Sequence, residues 1–147
     1  MSIAGAPTHL LLYGSLRRGE ANFDTLDLGK ALHFIRTVKF PGRMYDLGDY
    51  PGVVLDRPNG MIVGELFAVV DPRVIGRLDA FEGYRAKDRR PYDPVTRRGS
   101  LYLRRAIQID QIEAHIYVFN GLPSRLKSVP RVPTGEWLKH RRTRGRP

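Results

Sequence analysis

The stretch His9-Leu10-Leu11-Leu12-Tyr13-Gly14-Ser15-Leu16-Arg17-Arg18-Gly19 decides how the rest of the chain is read. A short leucine-rich run closed by Gly-Ser reads as a buried strand that feeds a turn. Gly14 and Gly19 have the separation of the two glycines in a phosphate loop. Such a loop needs Lys and then Ser or Thr after its second glycine, to reach the phosphates and the magnesium. Here Glu20 and Ala21 hold those positions, and an acidic residue would repel a triphosphate, so nucleotide binding is rejected. What remains is a strand-end turn whose backbone N–H groups can form an anion-binding nest, with Arg17 or Arg18 adding charge. Taken alone, a Gly-Ser turn is more often only a turn.

Working outward, Phe23, Leu26, Leu28 and Leu32 recur at loosely helical spacing. Phe34 to Phe40 alternates weakly and ends at Pro41-Gly42, which predicts a strand and a turn. The Gly-, Pro-, Asp- and Tyr-rich stretch 41–60 predicts short strands and tight loops, with a hairpin turn at Asn59-Gly60. Met61 to Val70 is the best strand signal. Asp71 as N-cap and Pro72 at the first helical position open a helix that runs to about Phe81, and Gly83 closes it. Lys87 to Ser100 is a charged loop. Leu101 to Ile109 and Glu113 to Phe119 predict two paired strands. Many short strands with one or two helices indicate an α+β fold with a curved sheet or small barrel.

A chain of 147 residues predicts one domain with a sufficient core. It has no cysteine, which excludes disulfides and cysteine metal sites and fits a reducing compartment. Met1 to Thr8 has neither the basic start nor the apolar core of a signal peptide. No apolar run approaches the ~20 residues of a membrane span. A cytoplasmic protein with no membrane partner is the expectation. Of the net charge of +10, residues 123–147 carry +7, from eight Lys and Arg against Glu136. This basic tail can meet nucleic acid or an acidic partner, although the plainer reading is a solvated end. Apart from Trp137 it has no aromatic residues to stack on single-stranded bases.

Glu82 is the second candidate for chemistry. It continues the apolar stripe Ile75 and Leu78 to the helix C-terminus, where the macrodipole disfavours negative charge. Partial burial, the dipole and the neighbouring Asp79 are all expected to raise its pKa, as a proton shuttle near neutral pH requires. The competing reading is an exposed glutamate in a frayed last turn. Glu65, inside the strongest strand, is a rival expected on the solvent face. His9, His33, His115 and His140 lack metal-ligand spacing. Ser15 has no G-x-S-x-G context and no evident histidine partner. The tyrosines mostly flank strands, where packing is their default.

The ordered series YGSLRRG (13–19), PGRMYDLGDYPG (41–52), GELF (64–67), LDAFEGY (78–84), LYLRR (101–105) and IYVFNG (116–121) resembles the γ-glutamylcyclotransferase superfamily, which includes γ-glutamylamine cyclotransferases and plant avirulence-induced proteins. The resemblance implies a domain over residues 9–122, followed by a basic C-terminal extension, 123–147. It implies a small mixed β-barrel flanked by helices, with no metal and no organic cofactor. By position, Tyr13, Gly14, Ser15 and Leu16 match the loop that holds the glutamyl moiety, and Glu82 matches the catalytic general acid/base. The implied reaction releases 5-oxoproline from a γ-glutamyl amine or amino acid by attack of its own α-amino group. Two features depart from the family pattern: the long basic segment 85–100 and the tail after Gly121. A non-catalytic member of the fold, binding an acidic small ligand or a protein partner, is the alternative.

Overall fold

The computed structural model of the protein describes residues 6–55, 60–121 and 123–144. Its elements are β1 (His9–Leu12), α1 (Ala21–Thr25), α2 (Leu28–Ala31), β2 (Leu32–Pro41), β3 (Arg43–Asp46), β4 (Pro51–Val54), β5 (Met61–Val69), α3 (Val74–Phe81), β6 (Tyr102–Ile109) and β7 (Ile112–Phe119). A 3₁₀ turn (Pro123–Ser128) and helix α4 (Trp137–Arg144) complete the chain. Asn59, half of the expected hairpin turn, lies outside the described residues, as do Met1 to Gly5 and the last residues of the basic tail.

Strand β1 is central. The five-stranded sheet has the order β2-β5-β1-β7-β6, with β1 antiparallel to β5 and parallel to β7. A central strand is covered on both faces, which accounts for the unbroken apolar run Leu10-Leu11-Leu12. Alternation then splits that run between two cores. Leu10 and Leu12 pack with Phe67, Val74 and Leu78 beneath the helices. Leu11 and Tyr13 face the other side, with Val38, Phe40, Ile116 and Val118. The sheet curls around this second core, and Arg36 of β2 pairs with Asp110 in the β6–β7 turn. The α+β class is therefore as expected. Among the described residues, however, the strands register as one sheet plus a separate β3–β4 ribbon, not as one closed ladder.

Two local expectations shift. Helix α3 begins at Val74, not at Pro72, because Asp71 to Arg73 form a tight turn of their own. In it Asp71 Oδ1 accepts from the Arg73 amide at 3.1 Å, and the Asp71 carbonyl accepts from Val74 at 3.1 Å. The apolar positions of 21–32 belong to two short helices, with Leu32 already in β2, because Asp27 breaks the run in a left-handed conformation (φ 59°).

The described part of the tail is packed. Val132 donates to the Met44 carbonyl and Asp46 to the Pro130 carbonyl, each at 2.8 Å, so the segment runs along the β3 edge. Trp137 is 0% exposed and belongs to the same core as Leu11 and Ile116. His140 Nε2 lies 2.9 Å from the buried Asp46 carboxylate. The reading of a solvated end is thus corrected for this segment: a tryptophan of this size is driven into the core by its area, whatever the charge of its neighbours. Trp137→Ala is expected to lower the free energy of unfolding by about 3–5 kcal/mol, the usual cost of emptying an aromatic core site. Urea denaturation measures it, and an unchanged midpoint would contradict the packing described.

Candidate active site

The turn after β1 is held by a charge that the strand buries. Glu65 of β5 stands opposite Leu12 and is only 4% exposed. Its Oε1 accepts from the Arg18 backbone N–H at 2.9 Å. Its Oε2 meets the Arg18 guanidinium at 3.3 Å and that of Arg17 at 3.6 Å. Arg17 also pairs with Glu136 at 2.7 Å, and the Arg18 guanidinium lies over the Phe34 ring, 3.3 Å from its centroid. The expectation that Glu65 faces solvent is therefore wrong. β5 lies between β1 and β2, and the carboxylate survives burial because two cations and an amide compensate it. The expected contribution of Arg17 or Arg18 to an anion site fails for the same reason: both cations are committed to carboxylates.

With the turn pinned, Gly14, Ser15 and Leu16 line a cavity of about 380 Å³. Gly14 is required by close approach, since a Cβ there would come within 2.9 Å of the Pro51 ring. The Gly14 carbonyl accepts from Arg17 at 3.1 Å, but the amides of Gly14, Ser15 and Leu16 donate to no backbone carbonyl among the described residues. An amide without a protein acceptor can donate to a ligand.

Glu82 lines the same cavity. Helix α3 delivers it through a C-terminal motif that exhausts the helix. Gly83 at φ 68° takes the left-handed position, its amide donates to the Ala80 carbonyl at 3.2 Å, and the Tyr84 amide donates to the Asp79 carbonyl at 2.8 Å. Leu101 then donates to the Gly83 carbonyl at 3.0 Å and ties the helix end to the start of β6. Glu82 is half-buried, and no donor reaches its carboxylate among the described residues. Burial pushes its pKa up to about 8. The expected push from Asp79 is absent. Asp79 turns away to accept from Arg104 at 2.9 Å and from the Tyr117 hydroxyl at 2.6 Å, so its charge is already balanced.

Of the four tyrosines in the wall, Tyr13, Tyr102 and Tyr117 have their hydroxyls occupied. Tyr13 donates to the Tyr117 carbonyl, Tyr102 to the Pro51 carbonyl at 2.6 Å, and Tyr117 to Asp79. Burial raises the pKa of each, so these three stay neutral walls. All five residues singled out in the sequence meet at one cavity. Sequence reasoning missed Asp49 and Tyr50, although both lie within the PGRMYDLGDYPG motif. It also missed Arg141, for which charge density was the only signal and pointed elsewhere. Among the described residues no group of His, Asp and Glu could hold a metal ion, and no helix is long and apolar enough to cross a membrane.

The turn after β1 and the end of helix α3 thus meet at one cavity of the curled mixed sheet, with Gly14, Ser15, Leu16 and Glu82 in its lining. Residues 10–139 match the family model described as gamma-glutamyl cyclotransferase, AIG2-like, and the chain belongs to that family. A Vibrio cholerae protein named "Putative gamma-glutamylcyclotransferase" is 36% identical over 132 residues, covering 89% of this chain and 96% of that one. Two solved structures share the fold. Protein YtfP of Escherichia coli matches with TM-score 0.60 and 24% identity, over 90% of this chain and 98% of its own. An AIG2-like protein of Mus musculus matches with TM-score 0.61 and 21% identity, over 86% of each chain.

Two substitutions should move stability in opposite directions. Glu65→Ala removes the acceptor of the Arg18 amide and one of the two carboxylates that hold Arg17, and is expected to cost about 1–3 kcal/mol. For Glu82 the folded pKa of about 8 lies above the ordinary 4.5. The folded state therefore holds the proton more tightly, and stability drawn from that is full below 4.5 and lost as pH rises through 8. Glu82→Gln removes the penalty. It should match the parent near pH 4 and exceed it at pH 9 by on the order of 2 kcal/mol, the full shift being discounted because the carboxyl opens onto water in the cavity. Thermal melts at the two pH values check both signs.

Proposed function

We propose that the protein cyclises γ-glutamyl compounds, releasing 5-oxoproline and an amine, with Glu82 as general acid/base. The observation that carries the reading is the meeting of an unpaired, high-pKa carboxyl with the unsatisfied amides of Gly14, Ser15 and Leu16 in one cavity. The substrate contains both reacting groups. Its α-amino nitrogen attacks its own γ-carbonyl carbon, a five-membered ring closes, and the bond to the leaving nitrogen breaks. The protein has mainly to hold the folded conformer, which converts the step into a near-attack geometry. The loop amides are suited to the negative charge that develops on the γ-carbonyl oxygen. Glu82 takes the proton released by the attacking nitrogen and returns it to the departing amine, so protons balance without a further reactant. A pKa near 8 lets one group do both at neutral pH. The bonded hydroxyls of Tyr13, Tyr102 and Tyr117 keep that part of the wall rigid.

The basic form of free Glu82 is the minor one below pH 8, so kcat/KM for a γ-glutamyl substrate should rise with pH and level off above about 8. Glu82→Gln should lose at least about 100-fold in kcat, the scale of a general acid/base contribution. Release of 5-oxoproline from a panel of γ-glutamyl amines and amino acids measures both. Undiminished turnover by Glu82→Gln, or no turnover of any substrate by the parent protein, overturns the proposal.

A further inference from the structure

We propose that Arg141 of the C-terminal helix determines specificity by binding a carboxylate on the leaving group, so that γ-glutamyl amino acids are preferred to γ-glutamyl alkylamines. This rests on the cyclotransferase reading above and adds the substrate class.

Arg141 is the one lysine or arginine among the described residues lining the cavity. The loop cations that sequence would nominate, Arg17 and Arg18, are turned to Glu65 and Glu136. Arg141 reaches the cavity because α4 is anchored on three sides. Trp137, one turn earlier on the same helix face, is sunk in the core; His140 meets Asp46; and Glu136 holds Arg17 while accepting from the Leu138 amide at 3.1 Å. The guanidinium is thus carried by a packed helix rather than by a loose tail.

One edge of Arg141 is already oriented. An Nη meets Glu20 Oε1 at 2.7 Å, and the side chain stays 39% exposed. A guanidinium has five donors in a planar fork, so one carboxylate at one edge leaves donors for a second. Glu20 ends the loop after β1, so this pair ties the cation to the segment whose residues Gly14 to Leu16 line the same cavity as Glu82.

The count of anionic groups on the substrate gives the assignment. A γ-glutamyl alkylamine has one carboxylate, and together with the developing oxyanion it is served by the loop amides. A γ-glutamyl amino acid has a second carboxylate, on the departing half, and burying it without a cation would be costly. Asp49 at the same cavity would add repulsion, and Arg141 is the group that offsets it. Charge-assisted pairing of this kind supports discrimination of about tenfold or more.

The test uses the Glu82→Gln protein, whose turnover is expected to fall at least about 100-fold, and two ligands that differ by one carboxylate, γ-glutamylalanine and γ-glutamylethylamine. Calorimetric titration should show the alanine compound binding at least tenfold more tightly. Adding Arg141→Gln should collapse that ratio to near one. Adding Glu20→Gln instead, which frees the guanidinium while leaving it in place, should keep or enlarge it. If Arg141→Gln weakens both ligands equally, Arg141 binds the glutamyl half or merely tethers α4, and the inference is overturned. Equal binding of the two ligands before any change at Arg141 overturns it as well, with the cyclotransferase reading intact. Binding of neither ligand overturns both.

Discussion

The site depends on a carboxylate buried in the middle of a sheet. Glu65 sits on β5, flanked by β2 and β1, and its desolvation has to be offset on the spot. The compensation comes from the turn that follows β1: the Arg18 amide and the guanidinium groups of Arg17 and Arg18. Because an unpaired buried charge is so unfavourable, the turn has little freedom to lie anywhere else. That single constraint sets Gly14 to Leu16 in the cavity lining and commits both adjacent arginines to carboxylates. The pocket wall is thereby left with donors but without local cations, a setting in which one added guanidinium carries weight.

Two carboxylates three residues apart on α3 show how environment divides roles. Asp79 faces β6 and β7, where Arg104 and Tyr117 satisfy it and it in turn orients the Tyr117 ring. Glu82 falls at the C-cap, where the helix has run out and its last turn carries no basic residue. Burial then raises its pKa unopposed. Neighbouring acids are thus set apart by their surroundings, one paired and one with its pKa raised.

The C-terminal segment gains its meaning from packing. Composition marks it as a basic stretch suited to solvent or to polyanions. Trp137 instead docks it on the core, and with the helix fixed its charges are sorted by position: His140 toward Asp46, Arg141 toward Glu20 and the cavity. The family model extends through this region to residue 139, beyond the last motif legible in the sequence at Gly121.

Much of the fold was legible because it is written locally. The Leu10–Leu12 run, the alternation in β6 and β7, and the left-handed glycine after Glu82 each report the environment of their own element through periodicity or backbone preference. The five candidate residues were legible as two ordered motifs, and the structure brings both to one cavity. What tertiary structure alone decided is which charges meet. Arg17 finds Glu136 at a separation of 119 residues, Arg18 finds Glu65 at 47, and Asp79 finds Arg104 at 25. Residue order carries no record of such pairs, because a charge in a sequence announces its sign but not the neighbour that will neutralise it. Whether Glu65 was buried, whether Asp79 would press on Glu82, and whether the tail would stay in solvent all turned on those neighbours, and there the local reading failed.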